Sequence, residues 1–135
     1  MKVVDKGTMN AVTFSTMFNK QAEIQREMLK NGMYDRSIDN GYEESIVGLP
    51  IDRPVLASYH IQQLISEIGE VLEADKRWKN IRRDKYNKDA KAEELADCFI
   101  VLMNICMFSG LTAEDMVKAI MDKQIVVEKR VEAEK

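Results

Sequence analysis

The stretch Leu95–Phe108, LADCFIVLMNICMF, constrains the fold more than any other part of the chain. At helical spacing its apolar side chains cover every face of the wheel, and a helix apolar all round has to be buried all round. Fourteen residues that include Asp97 and Asn104 are too short and too polar to cross a bilayer. The helix must therefore be central to a folded body. A chain of 135 residues makes one domain with a sizeable core, yet four helices can hardly enclose one of their number completely. One face of this helix is therefore expected at a subunit contact, and the protein is expected to be a homo-oligomer.

Helix breakers are unevenly placed. Pro50, Pro54, Gly32, Gly41 and Gly48 fall between 32 and 54, whereas beyond Val55 only Gly69 and Gly110 interrupt the chain. This pattern predicts an all-α fold of four to five helices in a single domain over 1–135, its core about 55–130. The first helix runs over about 13–30, closed by Gly32. A long loop follows over 33–53, a length that is often functional. The second helix starts near Pro54 and reaches about Lys79, burying Val55, Leu56, Ile61, Leu64, Ile65, Ile68, Val71 and Leu72. The third starts near Asp89 and ends at Ser109–Gly110. The fourth opens with Thr112-Ala-Glu-Asp115, a capping box with Asp in place of Glu. Residues 1–12 are ambiguous: Val3, Val4 and Val12 could form a short extended arm.

Composition narrows the class. At 45% hydrophobic and 32% charged residues the chain is an ordinary globular one, not a disordered one. A net charge of −3 disfavours a uniformly basic nucleic-acid binder. Cys98 and Cys106 stand in the apolar run and read as reduced, buried thiols. The opening MKVVDKGTMNAV lacks the layout of a secretion signal. The expectation is a cytoplasmic protein with no membrane partner.

Charge placement points to the chemistry. Asp97 sits inside the apolar helix, where an unpaired carboxylate costs several kcal/mol. Glu94, three residues earlier, is on the same side and adds a second negative charge. The second helix repeats the arrangement with Glu67 and Glu70, and places Gly69 between them. Each pair accepts a local penalty of roughly 0.2–0.5 kcal/mol, and a mid-helix glycine costs about 1 kcal/mol more. A glycine there also suggests the close approach of a backbone or ligand. Four converging carboxylates with no histidine or cysteine form a hard oxygen site, which suits Mg²⁺, or Mn²⁺, and not zinc. As solvated surface pairs such motifs are common; the apolar surroundings of Asp97 set this one apart. A di-iron bundle would need Glu-x-x-His on two helices, and the sole histidine, His60, has Ala57 three positions before it.

Between the two carboxylate helices, Lys76–Lys91 carries eight basic residues against Asp84 and Asp89, a net +6. Lys76, Lys79 and Arg82 in this linker would hold a polyphosphate. The competing readings are a solvated loop and a nucleic-acid patch. Trp78 could stack on a base or anchor the helix end. His60 and Gln63 precede Glu67 on its own face, and Asn104 shares the face of Asp97; these three are candidates for base or sugar contacts, with ordinary core roles as the alternative.

The combination Ser66-Glu-Ile-Gly-Glu70 and Glu93-Glu-Leu-Ala-Asp97, with 23 residues between Glu70 and Glu94, resembles the E-x-x-E…E-x-x-D signature of the all-α nucleoside triphosphate pyrophosphohydrolases. That superfamily includes MazG-like proteins and dimeric dUTPases. The resemblance continues through Phe99-Ile-Val-Leu-Met-Asn104 and Gly110-Leu-Thr-Ala-Glu-Asp115, and covers about 55–130. It implies a MazG-like helical bundle, dimeric or tetrameric, with Mg²⁺ held by Glu67, Glu70, Glu94 and Asp97. It also implies hydrolysis of a (d)NTP to (d)NMP and pyrophosphate by a metal-activated water attacking the α-phosphate, with Glu67 or Glu70 as the base. MazG-like chains often close on Lys-x-x-x-Asn-x-x-Arg. Here Lys123 and Arg130 stand as phosphate ligands, with Val127 where the asparagine would be. Trp78-Lys79 resembles dimeric dUTPases and favours a deoxypyrimidine. The alternatives are a non-catalytic interaction protein, its carboxylates paired with linker cations, and a nucleic-acid-associated module using the basic linker.

Overall fold

The structure, a computed structural model, describes residues 13–34, 48–79 and 84–135. Arg82, the arm at 1–12 and most of the 33–53 loop lie outside them. Four long helices make up the described residues: α1 (Phe14–Lys30), α2 (Pro54–Ala74), α3 (Lys88–Phe108) and α4 (Ala113–Ala133). A single 3₁₀ turn, Lys76–Trp78, follows α2.

Each boundary has a local cause. Thr13 caps α1 by accepting from Thr16 N at 3.2 Å. At its other end Gly32 takes φ +63°. Gly32 N then donates to Leu29 O and Met33 N to Met28 O, a Schellman closure. The same device ends α3. Gly110 at φ +77° lets its own N reach Met107 O while Leu111 N reaches Cys106 O. The capping box of α4 is present: Thr112 Oγ1 accepts from Asp115 N at 3.0 Å, and the Asp115 carboxylate accepts from Thr112 N at 2.9 Å. Two boundaries differ from expectation. α2 stops at Ala74 and not near Lys79, because Asp75 is extended and its carboxylate accepts from Arg77 N to start the 3₁₀ turn. α3 begins at Lys88, one residue before Asp89, because Asn87 caps it through Ala90 N at 3.0 Å.

α2 and α3 form an antiparallel hairpin clamped at both ends. Where α2 starts and α3 ends, Ile51 N donates to Met107 O at 2.8 Å and Arg53 N to Phe108 O at 2.7 Å. At the opposite end, Asp75 is held by the Arg77 guanidinium, with two bonds of 2.8 Å, and by Lys91 at 3.0 Å. These hydrogen bonds hold the Asp75 carboxyl well below the usual carboxylate range. Two fixed ends set the register of the hairpin, and that register decides which carboxylates meet.

α1 packs on α3 and α4. Phe18, Leu29, Leu56, Met107 and Phe108 are fully buried where α1, the start of α2 and the end of α3 meet. The core therefore sits at one end of the hairpin. At the other end apolar side chains stay exposed, including Ile65, Ile68, Leu72 and Phe99, and Phe99 is 67% exposed. Of the stripe expected to be buried on α2, only Leu56 is fully so; Leu64 and Val71 are half-buried, and the rest are exposed. The stripe lacks a cover because α1 and α4 reach only part of the hairpin. Ile120, Met121, Ile125, Val126, Val127 and Val131 of α4 are likewise exposed. Cys106 is buried as expected, whereas Cys98 is only half-buried. Among the described residues, no helix is long and apolar enough to cross a membrane.

Candidate active site

Glu67 and Glu70 stand on α2 one turn apart, and Glu94 and Asp97 stand likewise on α3. In the clamped hairpin the two pairs face each other. One carboxylate oxygen from each of the four lies within 4.8 Å of the others. Among the described residues nothing lies within 4 Å of where a Cβ would stand on Gly69, so none of them brings a backbone up to it.

The cluster is under electrostatic strain. Burial, the charges of Glu70 and Asp97, and a hydrogen bond with Glu70 all push the Glu67 carboxyl above its usual range. Burial, a hydrogen bond with Glu70 and the surrounding carboxylates do the same to Glu94. Glu67 Oε2 and Glu94 Oε2 are buried with no hydrogen-bond partner. Among the described residues, none of the four carboxylates forms a salt bridge. Pairing with the described linker cations is therefore not what relieves them. Two orphaned oxygens in a set of four oxygen donors fit a hard divalent cation. The neighbouring Cys98 thiol is pushed up, by burial first and then by all four carboxylates.

Glu67 and Asp97 also line a cavity of about 310 Å³. Its other polar lining is uncharged: Gln21, Gln25, Tyr34, Tyr59, His60, Gln63 and Asn104. His60 is buried, stacked parallel on Phe108 with ring centres 5.5 Å apart and edge-on to Tyr34. The Tyr34 hydroxyl donates to Gln25 Oε1 and lies 2.9 Å from His60 Nε2. With its proton spent on Gln25, the hydroxyl accepts from His60, which places the imidazole proton on Nε2. His60 Nδ1 is then a buried acceptor without a partner. Desolvation pushes the His60 pKa down to about 4, so the ring is neutral near pH 7.

Of the expected base and sugar contacts, His60, Gln63 and Asn104 thus meet at one cavity beside the carboxylates. Trp78 does not line it. Its indole N–H donates to Leu72 O at 3.1 Å and ties down the last turn of α2. Among the expected phosphate ligands, Lys76 pairs with Glu73 at 3.4 Å, and the Lys79 ammonium sits over the Trp78 ring at 5.2 Å. Lys123 and Arg130 lie on exposed α4, in surface hollows whose described lining includes none of the four carboxylates. The sequence reading missed Gln21, Gln25 and Tyr34 as cavity residues. A signal existed: Gln21 and Gln25 are one turn apart on the same stripe of α1 as Phe18 and Leu29, where amides are out of place.

A family model described as the MazG nucleotide pyrophosphohydrolase domain matches residues 58–132, more than half of the chain. No curated protein and no solved structure matches.

Proposed function

The chain belongs to the MazG nucleotide pyrophosphohydrolase family, and on that premise we propose that it hydrolyses a nucleoside triphosphate to the monophosphate and pyrophosphate. One observation carries the reading: four unpaired carboxylates converge beside a cavity whose remaining polar lining is neutral. Such a site divides a nucleotide by chemistry, with the phosphates at the acidic cluster through a cation and an uncharged base among the amides.

Glu67, Glu70, Glu94 and Asp97 would hold Mg²⁺, or Mn²⁺. Bound there, the ion neutralises phosphate charge and lowers the pKa of a water. Glu67 or Glu70 would take the proton of the attacking water. Lys76, Lys79 and Arg82 of the linker would steer and hold the phosphates. His60, Gln63 and Asn104 would contact base or sugar; Trp78, whose N–H is held by Leu72 O, would have only its ring face to offer. The exposed apolar faces of α2, α3 and α4 support a homodimer or homotetramer. In that assembly Lys123 and Arg130 would reach phosphates from a neighbouring subunit.

The test is pyrophosphate release from a panel of NTPs and dNTPs, with Mg²⁺ and then with EDTA. Metal-dependent release is expected, and Glu70→Gln or Asp97→Asn should lower it by at least about a thousandfold while leaving the helical circular-dichroism signal in place. Near-wild-type turnover by either variant would overturn the assignment.

A further inference from the structure

Gln21 belongs to α1, outside the matched family region, yet it reaches the cavity beside the carboxylates. Gln21 and Asn104 are almost fully buried, at 7% and 4% exposure, and Gln21 Nε2 donates to Asn104 Oδ1 at 2.9 Å. Among the described residues this is the hydrogen bond that each side chain makes, and it uses only half of each amide. Gln21 Oε1, an acceptor, and Asn104 Nδ2, a donor, are left over in side chains that line the cavity. A donor and an acceptor side by side match the edge of a nucleobase, which presents the complementary pair.

Turning both amides over together preserves the bond between them. Asn104 Nδ2 then donates to Gln21 Oε1, and the pair offers the cavity a donor at 21 and an acceptor at 104. That is the opposite order. A keto base carries C=O beside N–H; an amino base carries NH₂ beside a bare ring nitrogen. The two edges differ by the same inversion. Gln25, by contrast, has its amide oxygen taken by the Tyr34 hydroxyl, which in turn contacts His60. Of the four amides in the lining, Gln25 is tied into a chain, Gln21 and Asn104 form a pair that can turn together, and Gln63 stands apart from both.

We propose that Gln21 and Asn104 form a reversible reader of the nucleobase edge, so that the site accepts the keto and the amino member of a given ring size alike. The substrate class is then a neutral base of one size: uracil and cytosine together, or guanine and adenine together. This rests on the nucleotide reading given above. A reader with a fixed donor–acceptor order would reject the wrong member by roughly ten- to a hundredfold. A paired turn costs no hydrogen bond, so the discrimination falls away. Selection passes to cavity size and to the apolar lining, Met28, Ile100 and Val101.

The experiment is equilibrium binding of the α,β-imido analogues of dUTP, dCTP, dGTP and dATP to the full chain with Mg²⁺, beside inorganic tripolyphosphate. In the wild type the keto and amino members of the preferred ring size should bind within about threefold of each other. Gln21→Met removes the Gln21 end of the reader, and the bond that orients Asn104, at nearly constant volume. It should weaken both members by about tenfold or more and leave tripolyphosphate binding unchanged. A preference above about thirtyfold within a pair would overturn the proposal without any variant. So would unchanged nucleotide affinity in Gln21→Met, or wild-type binding of nucleotides no tighter than tripolyphosphate. Loss of the hydrolytic reading looks different: no metal-dependent pyrophosphate release, with Gln21-dependent binding still present.

Discussion

Acidifying this protein should destabilise it through one imidazole. His60 is 2% exposed, lies flat on Phe108, and has its pKa pushed from 6.5 to about 4 by loss of solvent. The unfolded chain therefore takes up a proton over a range in which the folded chain refuses one. Stability is full above about pH 6.5, falls as pH drops toward 4, and has no more to lose from this group below that. The sum is roughly 2 kcal/mol lost by pH 5 and about 3 kcal/mol at the lower limit. Against a typical total of about 5–15 kcal/mol this is a large fraction.

The carboxylate cluster works in the opposite sense. Glu67 and Glu94 have raised pKa values, so the folded state binds their protons first and gains stability as pH falls toward the ordinary carboxylate range. Isolating His60 needs a variant, and His60→Gln supplies one that stays neutral at every pH. Urea unfolding of both proteins across about pH 4.5–7.5 should show the wild type losing more stability on acidification by the stated amount. Because His60 is the sole histidine, its NMR titration needs no assignment. A midpoint near 4 is expected, with the proton on Nε2 above it. A midpoint of about 6 or higher, or identical pH slopes in the two proteins, would refute the argument from burial.

Other consequences follow from the same geometry. Mg²⁺ should raise the melting temperature of the wild type, and Glu67→Gln should remove that response while melting no lower than wild type in EDTA, since a repelling charge has gone. Sedimentation at micromolar concentration should give a mass above that of one chain, and Phe99→Glu should shift it toward the monomer; a monomeric wild type would contradict the reading of the exposed faces. Thr112→Ala should cost about 1 kcal/mol of stability by removing half of the capping box, measured by urea unfolding, with pyrophosphate release retained.

What the sequence shows of this fold is what short-range rules control. Gly32, Gly110, Thr13 and the Thr112–Asp115 box mark helix ends because each acts on backbone groups within a few residues of itself. The carboxylate pairs are legible for a related reason: a three-residue spacing fixes a shared face wherever the helix lies. The end of α2 was harder. Nothing near Asp75 announces a stop, and its extended conformation rests on Lys91, sixteen positions away, as much as on Arg77. The neutral cavity was harder still. Gln21 meets Asn104 across 83 positions and Tyr34 meets His60 across 26, so only the packed helices bring them together. For Trp78 the sequence left two readings open, a base contact and an anchor for the helix end, and the bond from its N–H to Leu72 O bears on the second.

The apolar stripe on α2 and the acidic cluster share one physical account. Both are features that a single chain leaves unsatisfied, one short of apolar cover and the other short of positive charge. Sequence patterns encode such demands without stating what meets them. In the core the chain meets its own: Phe18, Leu56 and Phe108 cover one another. At the far end of the hairpin it does not, and there Ile65, Ile68 and Phe99 stay in solvent while Glu67 and Glu94 each keep a buried oxygen without a partner. The hairpin clamps hold that end in register even though no core lies beneath it. A rigid but unsatisfied surface is what a second subunit and a cation could each complete without first reorganising the chain.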